Sequence, residues 1–290
     1  MSPKSKTVLI TGCSSGIGHE TARHLGERGW TVYATARRTD DIADLAEGGC
    51  KTLALDVTDE DSMRAAVAEV EAAEGSVGAL VNNAGYSQSG AIETVPVDLV
   101  RAQFETNVFG LLRMSQLVLP GMRRAGWGRI VNISSMGGRL TFPGGGIYHA
   151  TKHAVEAISD AMRFEVRGFG IDVVAIEPGL ILTRFGETAA GSIGDATRDG
   201  EAADDEDPYT HFNAVVGATT AGAYEEGALA KLGGGPDAVA KVIEKAITAR
   251  RPKPRYKVTP SARLAIAARR ALPDRAWDAM LRSQFPSPGA

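Results

Sequence analysis

Short apolar runs separated by longer amphipathic stretches recur through the first two-thirds of this chain, and that alternation restricts the fold more than any other feature. The runs at residues 7–11, 31–35, 52–55, 79–81, 130–133 and 172–176 have the length and β-branched content of buried strands. Helical patterns lie between them at residues 18–29, 62–74, 99–124 and 151–168, several closed by glycines in the C-cap manner. Each helix returns the chain to the end where the next parallel strand begins, so helices come to cover both faces of one sheet. The expected fold is α/β, a Rossmann-type doubly wound parallel sheet of about seven strands with its ligand crevice at the strands' carboxyl ends. A helix at 236–249 and a last strand at 255–259 complete a domain over residues 1–260, and 261–290 form a C-terminal helical extension.

The glycine loop Thr11-Gly12-Cys13-Ser14-Ser15-Gly16-Ile17-Gly18 lies between the first strand and the first helix. Glycines there let the backbone turn sharply and approach a pyrophosphate, whose charge suits the free N–H groups of a helix start. The spacing is G-x-x-x-G-x-G rather than the G-x-G-x-x-G of the usual dinucleotide fingerprint. After the second strand come Ala36-Arg37-Arg38. A carboxylate in this place binds the two ribose hydroxyls of NAD, whereas arginine accommodates the 2′-phosphate of NADP, so Arg37 and Arg38 favour NADP(H). The competing readings are that Asp40 or Asp41 swings back to the ribose, or that the arginines are a solvated face.

Tyr148 and Lys152 stand four apart, on one helix face, with Ser135 upstream. A lysine ammonium beside a phenol favours the phenolate and makes the tyrosine a usable proton donor and acceptor. A serine hydroxyl can hold a reacting oxygen in place. That is the proton half of an alcohol–carbonyl interconversion. Taken alone a Tyr-x-x-x-Lys is a common chance occurrence on helices.

Bulk composition narrows the partners. A formal net charge of −3 argues against nucleic acid or an anionic membrane as the main partner. Cys13 and Cys50 match no metal or redox spacing and read as buried or idle thiols in a reducing compartment. His19, His24, His153 and His211 lack companions at ligand spacing, so no metal is expected. The opening residues run straight into Val8-Leu9-Ile10, too short for a signal-peptide core, and cytoplasmic placement is expected.

Taken in order, Thr11–Gly18, Asp56-Val57, Asn82-Asn83-Ala84-Gly85, Asn107, Ser135, Tyr148/Lys152 and Pro178-Gly179 with Thr183 resemble the classical short-chain dehydrogenase/reductase family over residues 6 to 185. Residues 31–38 and Asn107-Val108-Phe109-Gly110, with Leu272-Pro273-Asp274-Arg275, look most like its hydroxysteroid and retinol dehydrogenase-like branch. The resemblance implies Tyr148 as general acid and base, Lys152 holding the nicotinamide ribose, Ser135 on the substrate oxygen and Asn107 holding a water that links Lys152 to solvent. It implies that Gly12, Ser14, Ser15, Gly16, Ile17 and Gly18 meet the pyrophosphate, Asp56 and Val57 the adenine, and Asn83, Ala84 and Gly85 the adenosine side of the crevice. Pro178, Gly179, Ile181 and Thr183 bound the nicotinamide end, with Ile181 and Thr183 on the carboxamide, so that the pro-S hydride faces the substrate. Ser135 is preferred to Ser134 on its spacing to the tyrosine, leaving Ser134 as a strand-end residue satisfied by backbone. His149 lies one residue off the reactive face, in the substrate pocket or at the surface.

After Thr183 the pattern dissolves into Gly/Ala/Thr-rich sequence with an acidic cluster at Asp204-Asp205-Glu206-Asp207, and residues 184–235 are expected to form an irregular substrate lid. Residues 261–285 read as one amphipathic, arginine-rich helix with Leu264, Ile266, Leu272, Trp277, Met280 and Leu281 on its apolar side. It packs on the domain or a second subunit, with membrane-surface contact as the minor alternative. The expected activity is NADP(H)-dependent interconversion of a secondary alcohol and a ketone, on an apolar, bulky small molecule, by a homodimer or homotetramer. A binding protein that senses NADP(H) without turnover is the alternative.

Overall fold

A computed structural model describes residues 5–183, 185–196, 208–225 and 232–288. The strands are β1 (Thr7–Ile10), β2 (Thr31–Ala36), β3 (Lys51–Ala54), β4 (Ala79–Asn82), β5 (Gly128–Ile133), β6 (Ile171–Glu177) and β7 (Arg255–Lys257). They form one sheet in the order β3-β2-β1-β4-β5-β6-β7, with every pairing parallel. The order reverses beside β1, which opens the crevice typical of doubly wound sheets. The expected fold is the one observed.

Strands β1, β4 and β5 are buried at every residue, as a sheet covered on both sides requires. Alternation sends Val8 and Ile10 to one face and Leu9 to the other. The first face is covered by α1 (Gly16–Glu27), α2 (Ala43–Glu47) and α9 (Pro236–Thr248), which contribute Leu25, Leu45 and Ile243. The second face is covered by α3 (Glu60–Glu74), α5 (Leu111–Ala125) and α6 (Gly146–Val166) through Val67, Met114 and Met162. A short α4 (Val97–Phe104) runs into α5 through a π-helical turn at Glu105–Gly110.

Two expectations are corrected. The stretch after Thr183 is not irregular: it holds α7 (Phe185–Ala196) and α8 (Thr210–Glu225), which bury Ile193, Phe212 and Val216 against Ala91. The acidic cluster Asp204–Asp207 lies outside the described residues. The tail is two helices, α10 (Pro260–Ala271) and α11 (Asp274–Arg282), because Pro273 lacks the N–H a continuing helix needs. Their apolar residues Ile266 and Trp277 pack on Leu140, whereas Leu264 is 58% exposed rather than part of that packed face. No helix among the described residues is long and apolar enough to cross a membrane.

Candidate active site

The glycine loop and α1 start from a backbone that only glycine tolerates well. Gly12 and Gly16 have φ of +71° and +59°. A Cβ on Gly12 would stand 2.8 Å from the Ala84 Cα. The loop is tied to the end of β4 by Asn83, whose Nδ2 donates to the carbonyls of Thr11 and Gly12, each at 2.9 Å. Thr11 Oγ1 in turn accepts from the N–H groups of Asn83 and Ala84, each at 3.0 Å. Thr11 is a fastener that motif reading quotes without assigning a task, although its place at a strand end makes a hydroxyl clasp natural.

One cleft of about 980 Å³ runs across the carboxyl ends of the strands. Gly12, Ser14, Ser15, Gly16, Ile17, Arg37, Asp56, Val57, Asn83, Ala84, Gly85, Ser135, Tyr148, Lys152, Pro178, Gly179, Ile181 and Thr183 all line it. Gly18 and Arg38 do not. A Cβ on Gly18 would meet the Gly12 carbonyl oxygen at 2.3 Å and Asn83 Nδ2 at 2.4 Å, so this glycine permits close packing of helix on loop. Arg38 turns away to Asp41, with Nη2 2.5 Å from Oδ1. Asp41 is thus held by Arg38, and Arg37 is the arginine that lines the cleft.

The proton-handling side is built on α6, which begins at Gly146, before Tyr148, and so holds Tyr148 and Lys152 on successive turns of one helix. A buried ladder fixes α6 to the sheet. Asn82 Nδ2 donates to Asn132 Oδ1 at 2.9 Å, Asn132 Nδ2 to Ser159 Oγ at 2.9 Å, and Ser159 Oγ to the Val155 carbonyl at 2.6 Å. Lys152 Nζ lies 5.7 Å from the Tyr148 ring centroid and donates to the Ile133 carbonyl at 2.9 Å. Burial lowers the lysine ammonium to about 8, with nearby Glu156 opposing the drop.

Asn107 does not line the cleft but backs it. Its Nδ2 donates to the Tyr86 carbonyl at 2.9 Å and to Thr151 Oγ1 at 3.1 Å, while Oδ1 accepts from the Tyr86 N–H at 3.0 Å. A Cβ on Gly85 would reach 3.0 Å from Asn107 Oδ1 and 3.7 Å from Lys152 Nζ, so a side chain there would fill the gap between them. Ser135 Oγ accepts from the Gly137 N–H at 3.0 Å, which leaves its own hydroxyl proton for another acceptor. Ser134 departs from expectation. Its N–H donates to the Ile176 carbonyl at 2.8 Å, but its buried hydroxyl has no hydrogen-bond partner among the described residues. His149 is buried in the cleft wall, where its Nδ1 accepts from the Phe142 N–H at 3.3 Å. Burial, reinforced by His153, pushes its imidazole down to about 4, so it is neutral at physiological pH.

Beyond Tyr148 the cleft is lined by Phe142, Val216, Leu264, Trp277, Met280 and Phe285. The tail helices therefore build part of the wall rather than standing apart from the site. Phe142 and Trp277 bring their ring centroids to 6.1 Å, and Tyr148 and Phe185 to 5.4 Å. Val216 lies within the stretch 184–235 expected as the lid, whereas Phe142 carries no signal in the sequence, because nothing in its spacing links it to Tyr148.

A doubly wound parallel sheet, a glycine loop at a helix start and a tyrosine–lysine pair in the same crevice define a dinucleotide-type α/β enzyme. Comparison with known proteins refines this: the family of short chain dehydrogenases matches residues 6–191. The chain is 35% identical to the uncharacterized oxidoreductase YbbO of Escherichia coli (strain K12), over 96% of this chain and 94% of that one. It is also 35% identical to the NADPH-dependent 3-dehydrocapnine reductase of Ornithobacterium rhinotracheale, over 93% and 94%. Among solved structures, a short-chain dehydrogenase from Streptomyces avermitilis superposes with a TM-score of 0.77 at 33% identity, covering 98% of this chain and 99% of that one. The chain belongs to the short-chain dehydrogenase family and is an oxidoreductase.

Proposed function

We propose that this protein is an NADP(H)-dependent oxidoreductase that interconverts a secondary alcohol and a ketone of an apolar, bulky compound. The observation that carries the reading is the convergence of Tyr148, Lys152 and Ser135 on one cleft, with Asn107 hydrogen-bonded directly behind them. The residues present fit a nicotinamide dinucleotide: the loop from Gly12 to Ile17 opens α1 into the cleft with no side-chain cap on its first N–H groups, which suit a pyrophosphate, and Arg37 lines the end where a 2′-phosphate would lie. NADPH supplies the hydride when bound. In the reductive direction Tyr148 gives its hydroxyl proton to the substrate oxygen, and Ser135 donates a hydrogen bond to the same oxygen. Lys152 holds the nicotinamide ribose and favours the phenolate left on Tyr148. Asn107 and the uncrowded gap at Gly85 hold the water through which the proton is replaced.

NADPH is supported by Arg37, by the absence of a carboxylate at the end of β2 and by the NADPH-dependent relative. The aromatic and aliphatic lining contributed by α8, α10 and α11 supports an apolar substrate, and α7 and α8, which line the same cleft, act as its lid. A homodimer or homotetramer in the cytoplasm completes the reading. The decisive measurement follows NADPH consumption at 340 nm across a panel of long-chain and cyclic ketones. Turnover with at least one, lost by about a thousandfold or more in Tyr148→Phe, is expected. Tight NADPH binding with no turnover on any ketone, and a Tyr148→Phe protein indistinguishable from wild type, would replace this reading with a cofactor-sensing role.

A further inference from the structure

A second cavity of about 580 Å³ opens between α9, β7 and α10, lined by residues distinct from those of the catalytic cleft. Its wall carries Lys245, Lys253, Lys257, Arg263 and Arg270 over a floor that includes Val242 and Val258. Among the described residues none of these five cations makes an ion pair. Elsewhere on the surface the usual arrangement is the opposite: Arg23, Arg64, Arg113, Arg124 and Lys241 each hold a carboxylate. The concentration is not a by-product of a basic protein. From Arg250 to Arg282 the chain carries ten Lys and Arg against two Asp and Glu, although its net charge is −3.

Two other charged groups face the cavity, and neither cancels the excess. Arg255 is already engaged by Glu156 at 2.7 Å and by Asp160. Glu177 is 1% exposed, and Arg255 and Arg139 approach it at 3.5 and 4.0 Å. Cations gathered without counter-charge repel one another, and a multiply charged anion relieves that repulsion when it binds. Arginine adds forked donors suited to phosphate oxygens, and lysine adds point charge.

We propose that this cavity is a second ligand site, for a phosphate-bearing anion, either a free diphosphate-type ion or the headgroup of an anionic lipid. It requires nothing from the proposed reaction and is separate from the cofactor's phosphate contacts. Helix α10 stands between the two sites: Leu264, Ala265 and Ala268 line the catalytic cleft, and Arg263 and Arg270 the cationic cavity.

The test uses the full chain saturated with NADPH, so that phosphate contacts in the main cleft are occupied. Inorganic pyrophosphate is titrated calorimetrically at constant ionic strength, and co-sedimentation is measured with phosphatidylcholine vesicles containing phosphatidylglycerol. Wild type is compared with Arg263→Gln/Arg270→Gln, with Lys245→Gln/Lys253→Gln from different elements, and with Arg28→Gln/Arg167→Gln as a charge-matched control. The expected result is binding of one probe, weakened about tenfold or more in both cavity variants and unchanged in the control. Loss of pyrophosphate binding assigns a soluble ligand, and loss of vesicle binding assigns a lipid headgroup. Binding of neither probe, equal binding by wild type and both cavity variants, or an equal loss in the control would overturn the site.

Discussion

Lys152 is the residue whose replacement separates stability from function most cleanly. Its ammonium is 6% exposed as a residue and falls from an ordinary 10.5 to about 8 on folding, which corresponds to roughly 3 kcal/mol of unfavourable burial at neutral pH. The folded-state value lies below the unfolded one. Below pH 8 both states hold the proton and the penalty is felt in full. Between about pH 8 and 10.5 the unfolded chain keeps more protons, so stability rises with pH across that window. Lys152→Met removes the penalty but also the 2.9 Å bond to the Ile133 carbonyl, which costs about 1–3 kcal/mol. The variant is therefore expected to be inactive yet as stable as wild type at pH 7, or up to about 2 kcal/mol more stable. Urea unfolding of both proteins at pH 7 and 10, taken as a difference so that shared titrations cancel, is the assay. Wild type should gain roughly 2–3 kcal/mol on the variant between these pH values. A difference that stays constant with pH would refute the reasoning.

Three further outcomes follow from the site. Arg37→Gln should raise the KM for NADPH about tenfold or more while leaving NADH nearly unchanged, whereas Arg38→Gln, whose partner is Asp41, should alter neither, as steady-state kinetics with both cofactors will report. Gly18→Ala places a methyl 2.3 Å from the Gly12 carbonyl oxygen and should cost about 2 kcal/mol or more in urea unfolding, together with loss of cofactor binding. His149, held down near 4 against 6.5 when free, should make stability fall as pH drops from about 6.5 to 4, because the unfolded chain takes up the proton first. His149→Gln should flatten that slope by up to roughly 3 kcal/mol in acid titrations of stability.

What could be read from the sequence and what could not divide along physical lines. Strands β1, β4 and β5 are buried throughout, so each reads as a short apolar run even though β4 and β5 also bury Asn82, Arg129 and Asn132, and the glycine loop and Tyr148/Lys152 follow from spacings of a few residues. Helix α8, Thr-His-Phe-Asn-Ala-Val-Val-Gly-Ala-Thr-Thr, mixes small and β-branched residues with little periodicity. Its packing of Phe212 and Val216 on Ile193 and Ala91 is a tertiary fact that local pattern does not carry. The choice between Arg37 and Arg38 is similar. Asp41 three residues after Arg38 was the available sign that one of the two arginines was already engaged. Gly18 belongs to the loop motif, yet its spacing does not show that the space beside it is filled by the chain's own Gly12 carbonyl and Asn83 amide.

The π-helical turn at Glu105–Gly110 is another feature that local pattern does not carry. The sequence over residues 99–124 reads as one helix, and a uniform α-helix would be the less costly conformation. The wider turn is stabilised by what it lets Asn107 do: its amide closes on both backbone groups of Tyr86 and reaches Thr151 on α6, one residue from Lys152. Gly110 ends the turn so tightly against the Val57 carbonyl oxygen that a Cβ would stand 2.5 Å away, which seats the turn on the loop that follows β3. One irregularity thus couples the cleft-lining loop at Val57, the segment after Asn83-Ala84-Gly85 and the helix carrying Tyr148. Restoring a regular helix by deleting one residue of the turn would turn Asn107 away by about 100°. It would uncouple all three at once, so the defect belongs to the site rather than to the helix that contains it.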